Sequence, residues 1–149
     1  MAKILNFDTG IEEFVINDKA TVYFNPTDVV FVEKLYDAFT GLESKQDEFQ
    51  KRVDEIGSDG EQMFAYASER DHEMRSIIDD LLGDGIADAL FPNMNCYALA
   101  NGLPVWMNLM FAIAETIEAG FTAEQKKSDP RLKKFSQKYD GMVSKYKKK

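Results

Sequence analysis

The chain has little of what most site chemistry needs. It holds one cysteine, Cys96, and one histidine, His72. A single thiol excludes an intrachain disulfide and suits a reducing, intracellular setting. One Cys with one His also excludes a closed zinc site built from those ligands. Any Ser-His-Asp or Cys-His arrangement would have to use His72, which stands mid-helix in "SERDHEMRS" between Asp71 and Glu73 and reads as a solvated surface residue. Cys96 reads as a small buried thiol. No apolar run approaches the roughly 20 residues that span a bilayer. The opening "MAKILNFDTG" lacks the long apolar stretch of a secretory leader, so export is not expected.

What is present argues for a folded domain. Of 149 residues 44% are hydrophobic, with 11 Phe, 6 Tyr and 1 Trp. That length suits one domain with a real core. The net charge of −8 hides an asymmetry. Residues 1–123 carry 23 acids and 8 bases, a net of −15, whereas 124–149 carry 3 acids and 10 bases, a net of +7. The acidic body should repel nucleic acid and anionic membranes.

The pattern predicts an α+β fold, mostly α. It starts with a β-hairpin or small sheet, continues as a helical bundle and ends in a basic tail. "EEFVIN" and "ATVYF" flank a short turn and are rich in β-branched and aromatic residues, which predicts a hairpin over about 11–24. "KILNF" is a candidate strand beside it. In "FNPTDVVFVEKLYDAFTG", Asn25 is the expected cap, Pro26 the first helical residue and Gly41 the stop. A charged helix over about 43–56 and a long one over about 61–82 follow. In the long helix Met63, Ala67, Arg70, Met74, Ile77 and Leu81 recur at heptad-like spacing. Gly83 should end it and Asp84 should cap a short helix over 85–90, stopped by Pro92. "NMNCYALANG" reads as a helical turn and loop. Pro104 opens a last helix, with Gly120 as its end. Helices thus occupy about 26–120 of a compact acidic domain, 1–121. The basic remainder, 122–149, holds at most a weak amphipathic helix through Leu132, Phe135, Tyr139 and Met142.

The densest cluster of candidate chemistry is "DDLLGDGIADALFP", from Asp79 to Pro92. An EF-hand loop needs oxygens at alternate positions and a Glu at the twelfth. Counted from Asp84, the third position is Ile86 and the twelfth Asn95, so the pattern fails. A P-loop fails too, for want of its Lys-Ser/Thr. The expected reading is a helix joint, in which Gly83 stops one helix, Asp84 starts the next, and Asp79, Asp80 and Asp88 face water.

The order of features resembles the tail assembly chaperones of long-tailed bacteriophages and prophages of Gram-positive bacteria. It runs from "EEFVINDKATVYF" through "FNPTDVVFVEKLYDAF" and a charged helical middle to "IIDDLLGDGIADALFP" and "PVWMNLMFAIAETI". The resemblance covers about residues 1–120. It implies a non-enzymatic, cofactor-free protein of the bacterial host cytoplasm. Such a protein coats the long, helical tape measure protein and gives way to tail tube protein as the tail polymerises. It also implies a longer form made by programmed frameshifting near the C-terminus, which the coding DNA would decide. A helix-in-groove mode would suit that client. The apolar pattern places the groove between the 61–82 and 104–119 helices, with Met63, Met74, Ile78, Trp106, Met110 and Phe111 as candidate partner-binding residues. The same spacing serves a plain core. The alternative is a small acidic phage inhibitor that mimics DNA against a nucleic-acid-binding defence enzyme. A third reading is an enzyme with a divalent ion on Asp79, Asp80, Asp84 and Asp88.

Overall fold

Alternation of apolar and polar side chains builds the first element. A computed structural model of the chain describes residues 1–127 together with Arg131 and Gln137. Strand β1 (Glu12–Ile16) pairs antiparallel with β2 (Ala20–Phe24), Glu12 opposite Phe24 and Ile16 opposite Ala20. Asn17 and Asp18 make the turn at φ 52° and 54°, a left-handed conformation that short polar side chains tolerate. Ala20, Val22 and Phe24 point into the core while Tyr23 points out. No strand precedes Glu12 among the described residues, so "KILNF" adds none to this sheet.

Five helices with described bounds follow. They are α1 (Val29–Ser44), α2 (Gln46–Ile56), α3 (Gly60–Leu82), α4 (Ile86–Leu90) and α5 (Val105–Lys126). Between α4 and α5 lies a second, minimal hairpin, β3 (Leu99–Ala100) with β4 (Leu103–Pro104). The architecture is α+β and mostly helical, as expected.

The core forms where the hairpin, α1 and α3–α5 converge. Phe14, Phe24 and Phe31 stack with centroids 4.5 and 4.2 Å apart, which fixes the hairpin on α1. Met74 and Ile78 of α3, Ala87 and Leu90 of α4, and Trp106, Leu109, Met110, Ile113 and Ile117 of α5 complete the buried cluster. Each large apolar side chain contributes about 1.5–3 kcal/mol by leaving water.

Several boundaries differ from the sequence expectation, each for a local reason. Asp28 caps α1, accepting from the Val30 N–H, while Asn25 instead accepts from the backbone and hydroxyl of Thr27 one turn earlier. Gly41 does not stop α1. The helix runs to Ser44, and Lys45 is a shared pivot between α1 and α2. Gly120 does not stop α5 either, because its missing side chain serves packing: a Cβ there would lie 2.6 Å from Pro26 Cβ. Since α5 continues to Lys126, the expected boundary at 121/122 falls inside a helix. The end of "NMNCYALANG", expected as helical turn and loop, enters the β3–β4 hairpin, turned by Asn101-Gly102 at φ 57° and 79°. The amphipathic tail expected over Leu132, Phe135, Tyr139 and Met142 lies outside the described residues.

Candidate functional site

The joint from Gly83 to Pro104 is held by one face of α3. Ala67, Asp71, Arg75 and Asp79 follow at steps of four, which lays them along one slowly winding stripe. The Ala67 carbonyl accepts from Asn95 Nδ2 at 3.2 Å. Asp71 Oδ1 accepts from the Cys96 N–H at 2.7 Å, and its Oδ2 accepts from Arg75 Nε at 2.8 Å. Arg75 Nη1 donates to Asp88 Oδ1 at 2.9 Å, and Nη2 donates to the carbonyls of Phe91 and Met94 at 2.8 and 2.5 Å. Asp79 accepts from the N–H groups of Gly85 and Ala87 at 3.2 and 2.9 Å.

These contacts correct two expectations. Asp79, not Asp84, caps the start of α4, because its two oxygens reach over the Gly83 stop. Asp88 does not merely face water but pairs with Arg75. The next link is backbone: Val105 and Trp106, whose N–H groups have no partner within α5, donate to the carbonyls of Ala98 and Cys96. The stripe thereby sets where α5 begins.

The electrostatics suit a clasp, not a reaction centre. Burial alone would raise the Asp71 carboxyl, but the Cys96 N–H and the Arg75 guanidinium outweigh it and hold the group below its usual range. The Cys96 thiol is pushed up to about 12, by burial first and by Asp71 second, so it stays protonated. Such a thiol is a poor nucleophile. His72 is exposed. Among the described residues, no three His, Cys, Asp or Glu side chains stand close enough together to hold a metal ion.

The six residues expected to bind a partner do not form one surface. Met74, Ile78, Trp106 and Met110 are 1%, 0%, 4% and 1% exposed, deep in the core between α3 and α5. There they pack within the protein's own core, and Trp106 also borders a cavity lined by α2, α3 and the start of α5. Met63 is half-buried, and Phe111 is exposed at 46%, lying 6.0 Å from the Phe39 ring.

Two concavities are among those that open at the described residues. One, of about 510 Å³, runs between α1 and α3. Ala38, Leu42, Ile77 and Leu81 give it apolar walls, and Lys34, Asp37, Lys45 and Asp80 give it a rim of both signs. The other, of about 680 Å³, opens where α2 meets the body, beside Trp106 and Tyr97. There the Arg70 guanidinium carbon sits 3.7 Å from the Phe49 ring centre and 4.0 Å from that of Tyr97. Lys45 pairs with Glu73 across the same gap. With Ile56 its only fully buried residue, α2 rests on the body mainly through this aromatic–cation stack.

Sequence reasoning missed the Asp71–Arg75–Asp79 stripe. Its signal was legible as opposite charges at i,i+4 beside an apolar seam. Comparison of the chain with protein-family models, with curated proteins and with solved structures gives no match in any of the three.

Proposed function

We propose that the protein is a non-enzymatic phage tail assembly chaperone that holds a long helical client, the tape measure protein, in soluble form. The observation that carries this reading is the groove between α1 and α3, floored by apolar side chains and rimmed by charge on a strongly acidic chain. A client with exposed helical apolar stripes would lay one stripe along Ala38, Leu42, Ile77 and Leu81 in the helix-in-groove mode. The negative charge of the body keeps the coated client dispersed. The order of sequence features supports the same reading. The described residues contain no helix long and apolar enough to cross a membrane, which agrees with a partner met in solution.

The test is an affinity capture of the tagged chain from cells that also express its neighbouring genes, at low and at high salt. The chaperone reading expects a very long, helix-rich partner retained at high salt, and lost when Ala38→Glu puts a carboxylate in the groove. A basic, nucleic-acid-binding partner released by salt would overturn it and favour the acidic inhibitor, because salt screens charge pairing but not apolar burial.

A further inference from the structure

Residues 1–11 run ahead of β1 as chain that belongs to no strand or helix. Ile4, Leu5, Phe7 and Ile11 are 90%, 83%, 78% and 60% exposed. No other stretch of the described residues leaves so many large apolar side chains in water so close together. The base of this arm is nonetheless fixed. Asp8 Oδ1 accepts from the Gly10 N–H at 2.8 Å, and Asn25 Nδ2 donates to the Thr9 carbonyl at 2.9 Å. Gly10 has φ +73°, and a Cβ there would meet Asn25 Nδ2 at 2.5 Å, so only glycine suits this tether.

The register leaves the arm without a partner among the described residues. Glu12 pairs with Phe24, the last residue of β2, so the arm prolongs β1 past the end of its neighbour. Among the described residues the sheet has two strands, and β2 packs on α3 and α4, which leaves the far side of β1 as an edge that no described strand pairs. Such an edge is a template for a further strand.

We propose that the arm of one copy adds as a third strand to the β1 edge of a second copy. One chain carries both halves of the interface, an unpaired arm and an unpaired edge of similar length. Charge is complementary at Lys3, which can meet Glu12 or Glu13 at the start of β1, while the arm's one acid, Asp8, is held at its base by the Gly10 N–H. Their faces match as well. Lys3, Leu5 and Phe7 alternate with Ile4 and Asn6, and the outer face of the hairpin offers Val15 and Tyr23, exposed at 59% and 64%. Pairing within one chain would require the arm to reverse at the Asp8–Gly10 turn, and in the structure the arm makes no ladder with β1. Reciprocal exchange gives a closed dimer, and one-way addition gives a chain of copies. This inference does not depend on the client proposed above, since it concerns the purified protein alone.

The experiment measures the solution mass of the full-length chain by light scattering over a wide concentration range, beside a variant lacking residues 2–7. The expected result is association by the intact chain and a monomer for the variant, with helical circular dichroism unchanged. Lys3→Glu should weaken association and Glu13→Lys added to it should restore it. Chains bearing Leu5→Cys mixed with chains bearing Val15→Cys should form a disulfide between copies under mild oxidation; native Cys96, at 0% exposure, does not compete. A monomer at every concentration, or association that survives loss of the arm, overturns the proposal. So does a Leu5→Cys/Val15→Cys double variant that cross-links only within one chain, which would mean that the arm folds back.

Discussion

Arg75 Nε donates to Asp71 Oδ2 at 2.8 Å, one turn back on the same helix, and both side chains are only 14% exposed. The rest of the guanidinium is taken by Asp88 and by the carbonyls of Ala87, Phe91 and Met94. Arg75→Ala would leave the mostly buried Asp71 carboxylate with only the Cys96 N–H beside it and take the guanidinium donor from the carbonyls of Phe91 and Met94. Loss of one partner from such a pair costs about 3–5 kcal/mol. Urea unfolding followed by circular dichroism should show a loss of that size. Arg75→Lys should recover only part of it, because an ammonium cannot span donors arranged as a planar fork. A loss near zero for Arg75→Ala would mean that the joint is held by its apolar residues alone.

The same clasp sets a pH dependence at both ends of the scale. Asp71 is held below the ordinary value of 3.8, so the folded state favours the ionised carboxyl. That contribution is complete above the unfolded value and is lost as pH falls below 4 through the folded one. Cys96 runs the other way. Its folded thiol is raised from 9.0 to about 12, so stability should decline as pH rises from 9 toward 12. Asp71→Asn should flatten the acid limb and Cys96→Ala the alkaline one, read as the midpoint of thermal unfolding against pH. In the native state near neutral pH, Cys96 should react with thiol reagents only after denaturant is added.

The outline of this fold was legible because its strongest signals are local. The hairpin follows from β-branched and aromatic residues in "EEFVI" and "ATVYF", and α3 follows from its apolar spacing. The errors fall where a residue serves a distant partner. Gly120 looks like a helix stop but is small for the sake of Pro26, 94 positions earlier in the chain. Asp84 looks like a cap, yet Asp79 reaches that cap from the preceding helix. Asn101-Gly102 was a hairpin signal set between strands too short to show alternation. Apolar periodicity reports that a face is covered, not by what. Met74, Ile78, Trp106 and Met110 are covered by their own chain.

Core and surface apolar residues should therefore separate cleanly on substitution. Ile78 is 0% exposed and Phe64 is 78% exposed, although both lie on α3. Ile78→Ala should destabilise the protein by about 2–5 kcal/mol, the range for emptying a buried aliphatic site. Phe64→Ala should stay within about 0.5 kcal/mol of the parent, as surface changes usually do. Emission from the single tryptophan, Trp106, which is 4% exposed, should report the transition by shifting to the red on unfolding. Comparable losses for the two variants would mean that Phe64 is covered in solution.

Two glycines inside helices should respond to alanine with opposite signs. Gly41 lies in α1, and nothing stands within 4 Å of where its Cβ would be. Alanine there removes backbone freedom from the unfolded chain and should stabilise the fold by about 0.5–1 kcal/mol. Gly120 lies in α5, where a new Cβ would press on Pro26 at 2.6 Å. The proline ring is rigid and buried, so α5 would have to move away from the start of α1. Overpacking of this kind costs about 1–3 kcal/mol, enough to outweigh the gain of about 1 kcal/mol in helix propensity. Denaturant midpoints of the two single variants test the pair directly. If Gly120→Ala were also stabilising, α5 would not be seated on Pro26, and the end of the helix would be free of the body at that point.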